Sequence, residues 1–76
     1  MKIIYCLGDA RVSYYKECDE GYPVFHHKKK AFRMDETLSA KVLSQLRSRV
    51  PDEILGVIDE TVEFKRSKVI AELSAA

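Results

Sequence analysis

Apolar and polar side chains alternate along the first part of the chain. In residues 2–7 and 10–15 every second position on one side is apolar or aromatic, which is typical of half-buried β-strands. Gly8 and Asp9 lie between the two stretches, and glycine at the first loop position favours a type II′ turn. The pattern therefore predicts an antiparallel hairpin. Its expected pairs are Leu7 with Ala10, Tyr5 with Val12, and Ile3 with Tyr14.

The predicted hairpin has one strongly apolar face and one mixed face. A slip of one residue would turn the apolar set towards solvent, so we expect the register to be firmly fixed. We also expect helices from the rest of the chain to cover the apolar face. That face comprises Ile3, Tyr5, Leu7, Ala10, Val12 and Tyr14, and the mixed face comprises Lys2, Ile4, Cys6, Arg11, Ser13 and Tyr15.

A second turn and a third strand follow the hairpin. Residues 18–21 are polar and end in glycine, which is typical of a turn. Residues 22–27 then form the predicted third strand. Because proline cannot donate a ladder hydrogen bond, this strand either lies at a sheet edge or begins just after Pro23. Three lysines at 28–30 form the next turn. Residues 31–34 either return as a short fourth strand or lead into a helix.

The rear half has helical periodicity. Asp35 is a suitable N-cap, and Pro51 ends the segment because the residue before a proline is disfavoured in helical geometry. The pattern predicts an amphipathic helix over residues 36–50. Proline followed by two acids at 51–53 resembles a new helix start, so we expect helices over 52–60 and 67–74. Residues 61–66 remain open between strand, helix and loop.

These elements predict an α+β fold in a single small domain over residues 1–76. An N-terminal antiparallel β-meander of three or four strands packs against two or three C-terminal helices. A chain of 76 residues has a small core, because a domain of this size buries only about 60% of its unfolded surface. The predicted core comprises Ile3, Tyr5, Leu7, Val12, Tyr14, Leu38, Val42, Leu46, Ile54 and Ile58.

Composition and charge narrow the class of protein. With 46% hydrophobic and 33% charged residues, the chain has a globular rather than a disordered composition. A net charge of +1 excludes a strong overall attraction to nucleic acid or an anionic membrane, although a local patch can still act. No apolar run approaches the ~18 residues of a membrane span, and the first apolar stretch is too short for a signal peptide. We therefore expect a cytoplasmic protein with reduced cysteines.

Metal binding and catalysis lack a sequence signature. Eleven residues separate Cys6 from Cys18, unlike the close pairs of zinc sites, and His26 and His27 should point to opposite faces of a strand. The chain has three glycines, too few for a typical glycine-rich phosphate-binding loop. A domain this small also rarely encloses a catalytic pocket. We expect no enzymatic activity, no metal and no cofactor; redox or metal chemistry at Cys6 is the alternative.

The basic segment at 28–33 and the aromatic residues favour binding. The leading prediction is a non-enzymatic module that binds a larger intracellular protein, for example a small inhibitor or modulator of transcription or other nucleic-acid machinery. Direct binding of DNA or RNA through 28–33 is the alternative, and an ordinary solvated hairpin tip is the simplest reading of the lysines. The mixed face is equally suited to self-association as a homodimer. The candidate binding residues are Arg11, Tyr15, Tyr22, His26, Lys28, Lys29, Lys30 and Arg33.

Overall fold

Four antiparallel strands and one α-helix make up the described chain. The computed structural model describes residues 1–8 and 11–62. The elements are β1 (Lys2–Leu7), β2 (Val12–Asp19), β3 (Tyr22–His26), a short 3₁₀ helix (Lys28–Lys30), α1 (Glu36–Arg49) and β4 (Ile54–Asp59). The strand order in the sheet is β3-β2-β1-β4. The α+β class and the N-terminal meander are confirmed.

The β1–β2 hairpin forms, but with a different register from the predicted one. Tyr5 pairs with Tyr14, and the Gly8 N–H donates to the Arg11 carbonyl at 3.0 Å. The predicted partner of Tyr5 was Val12, so the pairing is shifted by two residues. Residues 9 and 10, which include part of the predicted Gly8-Asp9 turn, lie outside the described residues. A shift of two keeps every side chain on its predicted face, because strand side chains alternate with a period of two.

The β2–β3 connection is a tight turn at Glu20 and Gly21. Their φ angles are 50° and 85°, a left-handed geometry that glycine adopts without steric cost. A register shift between Tyr15 and Glu17 bends β2 as it pairs with β3. Pro23 lies in β3 at the edge of the sheet, as predicted.

Residues 31–34 form backbone hydrogen bonds with both β1 and β2. The Phe32 N–H donates to the Tyr15 carbonyl at 2.9 Å, and Lys2 and Met34 exchange two backbone hydrogen bonds at 2.6 and 2.8 Å. The segment is thus an isolated β-bridge rather than a fourth strand of the meander, and it leads directly into α1.

Helix α1 matches the prediction for residues 36–50. The Asp35 carboxylate accepts a hydrogen bond from the Leu38 N–H at 2.7 Å, and the helix ends before Pro51. The buried line of the helix runs through Ser39 and Leu46. Leu38 lies about 100° away from Ser39 around the helix and is 40% exposed, so its assignment to the core is wrong.

The helix covers the face of the sheet that was predicted to be mixed. Ile4 and Cys6 pack with Met34, Leu46 and Leu55 on the α1 side. The expectation that α1 would cover the Ile3 face is therefore wrong. Both faces of β1 carry buried side chains, because Ile4 and Cys6 pack against α1 and Ile3 packs against Ala31 on the opposite side. A second cluster on the Ile3 face contains Ile3, Tyr14 and Ala31, with Tyr5, Val12 and Ile58 partly buried against it.

The helix predicted over 52–60 is wrong, because this segment is strand β4. It pairs with β1 along its length, from Lys2 opposite Asp59 to Leu7 opposite Ile54. Ile54, Val57 and Ile58 are β-branched and favour strands, and β1 supplies a paired edge. Ile54 is 44% exposed, so it does not belong to the core as predicted. The helix predicted over 67–74 lies outside the described residues.

Candidate functional site

An apolar depression lies on the α1 side of the sheet, near the hairpin end of β1. This apolar cleft has a volume of about 550 Å³. Cys6 and Ser13 are neighbours across β1 and β2, and they line the cleft together with Phe25 of β3. Its volume lies in the range of ligand sites, but the depression is open to solvent rather than enclosed. The remaining lining residues are Gly8, Arg11, Tyr22, Pro23, Val50 and Glu53.

A second cleft adjoins the first at the end of β3. This basic cleft has a volume of about 580 Å³ and is lined by Arg11, Val12, Ser13, Phe25, His26 and His27. Arg11, Ser13 and Phe25 line both clefts. The two depressions are therefore neighbours that share a wall, with apolar residues and Glu53 on one side and two imidazoles on the other.

His26 and His27 are in contact, although the alternation of strand side chains predicted opposite faces. Their ring centroids are 4.0 Å apart, because β3 ends at His26 and the chain turns into the 3₁₀ helix. The His26 Nδ1 atom is buried and has no hydrogen-bond partner within the described part of the chain. Desolvation lowers the pKa of His26, and the charges of His27, Lys16 and Lys30 lower it further. The basic cleft is thus a region of positive potential.

Cys6 is a protonated thiol in the apolar cleft. Its Sγ donates to the Glu53 carboxylate at 3.5 Å. Burial raises the pKa of Cys6 to about 11, and the hydrogen bond and negative charge of Glu53 act in the same direction. Because the thiolate is the reactive form, this environment disfavours nucleophilic chemistry at neutral pH. Cys18 is an exposed free thiol. Among residues 1–8 and 11–62, no three His, Cys, Asp or Glu side chains are grouped to hold a metal ion.

The basic segment predicted at 28–33 is divided by its contacts with the end of β4. The Lys28 ammonium donates to the Val62 carbonyl at 2.9 Å, and the Arg33 guanidinium forms an ion pair with Glu60. Lys29 and Lys30 are exposed on the 3₁₀ helix. The four cations therefore do not form one free patch, because two of them bind neighbouring parts of the chain.

The other predicted binding residues lie in three places. Arg11 and Tyr22 line the apolar cleft, and Tyr22 is 77% exposed. His26 lines the basic cleft together with Arg11. Tyr15 instead packs edge-on against Phe25 and Phe32, with ring centroids 6.2 and 6.4 Å away. These ring contacts give Tyr15 a packing role, and burial raises the pKa of its hydroxyl to about 12.

The sequence reasoning missed the contribution of the chain after α1. Val50 and Glu53 line the apolar cleft, yet they were expected to end one helix and to begin another. The mixed face of the hairpin was the available signal, because it already placed Cys6, Arg11 and Ser13 on one side. Comparison of the chain with protein-family models, curated proteins and solved structures finds no match. No helix in the described part of the chain has the length and apolar character needed to cross a membrane.

Proposed function

We propose that this chain is a non-enzymatic module that binds a larger protein through the apolar cleft. The observation that carries the proposal is an exposed tyrosine, Tyr22, beside an arginine, Arg11, at an apolar depression. Tyrosine and arginine dominate binding energy at protein interfaces, because they combine a large contact area with hydrogen bonding. Pro23, Phe25 and Val50 supply the apolar surface on which a partner side chain can pack.

The chemistry of the cleft supports binding rather than catalysis. A catalytic thiol needs a neighbour that lowers its pKa, whereas Glu53 raises the pKa of Cys6. The histidines line the other cleft, on the far side of the wall formed by Arg11, Ser13 and Phe25. The cleft is also open to solvent on the side of Tyr22. A partner of this module would be a larger intracellular protein, such as a component of the transcription machinery that the module inhibits or modulates.

Affinity capture from the source cell, with Tyr22→Ala and Arg11→Ala variants, tests this proposal. We expect the native chain to retain a specific protein, and each variant to lose about 2 kcal/mol of binding, or roughly thirtyfold in affinity. Leu38→Ala is the matched control, because Leu38 is an exposed apolar side chain on α1 outside the clefts. Thermal melting of each variant verifies that its fold is intact. Retention of the partner by Tyr22→Ala at native affinity would exclude the proposed surface.

Direct binding of nucleic acid is the second candidate function. The exposed side chains of Lys29 and Lys30 favour it, because free ammonium groups can neutralise backbone phosphates. A parallel capture after nuclease treatment separates the two candidates. Proteins that remain bound after the treatment support the protein-binding module, whereas proteins that disappear were bridged by nucleic acid.

A further inference from the structure

We propose that the apolar and basic clefts together bind one extended peptide segment, which places an apolar side chain in the first cleft and an acidic side chain in the second. This inference rests on the proposed function and names the chemistry of the partner. It starts from the wall that the clefts share, because Arg11, Ser13 and Phe25 line both of them. A ligand that fills one cleft therefore reaches the other without crossing a separate part of the surface.

The spacing of the clefts defines the length of the segment. Both lie along β3, where Pro23 lines the apolar cleft and His26 lines the basic cleft. Three residues of strand separate these positions, which corresponds to ~10 Å. In an extended peptide, side chains three residues apart are likewise ~10 Å apart and point to opposite sides, as Pro23 and His26 do in β3. The matching ligand pattern is therefore an apolar residue, any two residues, and then an acidic residue.

The charges of the two clefts define which part of the segment is acidic. The Arg11 guanidinium and the imidazoles of His26 and His27 attract a carboxylate at one end. The Glu53 carboxylate lies at the other cleft, where it repels a second anion and accepts a hydrogen bond from a donor. A peptide satisfies both clefts if it carries a lysine or an amide donor next to its apolar residue, on the side away from its acidic residue.

The same charges favour a peptide over a single-stranded nucleic acid. A polyanion carries a phosphate at every nucleotide, so its backbone would meet Glu53 as well as Arg11. Lys28 and Arg33, the cations that would extend the positive surface, are bound to Val62 and Glu60. A short peptide with one acidic group needs only the cations of the basic cleft.

Binding of the acidic side chain is expected to depend on pH through His26. His26 is faced by Arg11 in the same cleft, by Lys16 and Tyr14 on β2, by the adjacent His27 and by Lys30 on the 3₁₀ helix. The unbound imidazole is mainly neutral at pH 7, since its pKa lies below the ordinary value. A bound carboxylate favours the imidazolium form, so binding takes up a proton. Affinity should therefore rise as the pH falls, and level off once the unbound imidazole is itself protonated.

Titration of the protein with three blocked octapeptides, followed by NMR, tests the inference. The first has Lys-Leu-Ala-Ala-Asp at its centre, the second replaces the aspartate by asparagine, and the third replaces the leucine by alanine. We expect the first to shift the amide signals of Arg11, Ser13, Phe25 and His27, and the others to bind about tenfold more weakly or worse. Only the first should bind more tightly at lower pH. Arg11→Gln and the exposed His27→Gln should each weaken it.

Three results would overturn the inference. They are an absence of signal shifts in the clefts at millimolar peptide, equal affinity for the aspartate and asparagine peptides, and displacement of the peptide by a single-stranded oligonucleotide that shifts the same signals. The affinity capture distinguishes this failure from that of the proposed function. If Tyr22→Ala still abolishes capture while all three peptides fail, the surface binds protein but recognises a different chemistry.

Discussion

At the scale of single residues, the Tyr5 ring packs directly over Gly56. The two residues pair across β4 and β1, and the Tyr5 ring occupies the space where a Cβ at position 56 would lie. An aromatic ring over a cross-strand glycine compensates for the side chain that glycine lacks. Glycine is therefore required here for close approach, although its backbone lies in a regular strand.

Gly56→Ala is expected to destabilise the protein by about 1–3 kcal/mol, the range typical of overpacking, because the Tyr5 ring has to leave its position. Urea denaturation measures the change. The matched control is Tyr5→Ala, alone and combined with Gly56→Ala. If the clash is the cause, alanine at 56 costs much less in the Tyr5→Ala background, and the difference is the coupling energy of the pair. Equal losses in both backgrounds would contradict this explanation.

At the scale of elements, the parts of the fold with local signals were predictable from the sequence. Helix α1 has a cap, a periodic apolar line and a terminating proline, all within one stretch of chain. The turn at Glu20 and Gly21 has its own polar signal. Strand β4 lacked such a signal, because Leu55 and Val57 pack on the α1 side while Ile58 packs on the opposite side. A strand with two apolar faces does not alternate, so its sequence resembles a helix.

The residues of the candidate site were likewise predictable only where they belong to elements with a local sequence signal. The mixed face of the hairpin and the exposed character of β3 indicated Arg11, Tyr22 and His26, which do line the clefts. The contribution of Glu53 depends on the position of β4 beside β1, and that pairing joins distant parts of the sequence. The ties of Lys28 and Arg33 to Val62 and Glu60 have the same origin. The positions of Glu53, Lys28 and Arg33 could not be predicted, because they depend on the pairing of β4 with β1.

The N-cap of α1 is the element whose contribution can be measured most directly. Asp35→Ala is expected to cost about 1 kcal/mol of stability, because the Leu38 N–H loses its acceptor and the helix dipole loses a favourable charge. Asp35→Ser is the control, since its hydroxyl still accepts the hydrogen bond. Chemical denaturation should place the serine variant close to the native chain. An alanine variant as stable as the serine variant would show that the cap contributes little.

At the scale of the whole molecule, the distribution of charge depends on the contact between the basic segment and the end of β4. Glu60 forms ion pairs with Arg33 and with the amino group of Met1. Exposed pairs of this kind contribute at most about 1 kcal/mol to stability. Their larger effect is on the surface presented to a partner, because they neutralise the guanidinium that lies closest in sequence to Lys28–Lys30.

Glu60→Gln is therefore expected to strengthen retention on heparin, with little change in melting temperature. The substitution removes one negative charge from a net charge of +1, which gives +2, and it also frees Arg33. Asp52→Asn is the matched control, because Asp52 is exposed and its substitution changes the net charge equally. Elution of the Glu60 variant at higher salt than the Asp52 variant would identify the freed arginine as the cause. Identical elution would assign the effect to net charge alone.

The pairing of the first strand with the last described strand has a consequence for biosynthesis. Lys2 lies opposite Asp59, so β1 emerges early from the ribosome but lacks its second neighbour until β4 has been translated. Contacts of such high sequence separation slow folding, because a long loop has to close before they form. The nascent chain thus exposes the adjacent isoleucines of β1 throughout its elongation. A ribosome that stalls before residue 54 would carry a nascent chain with an unpaired strand edge and exposed apolar side chains. We expect chaperones to bind this nascent chain.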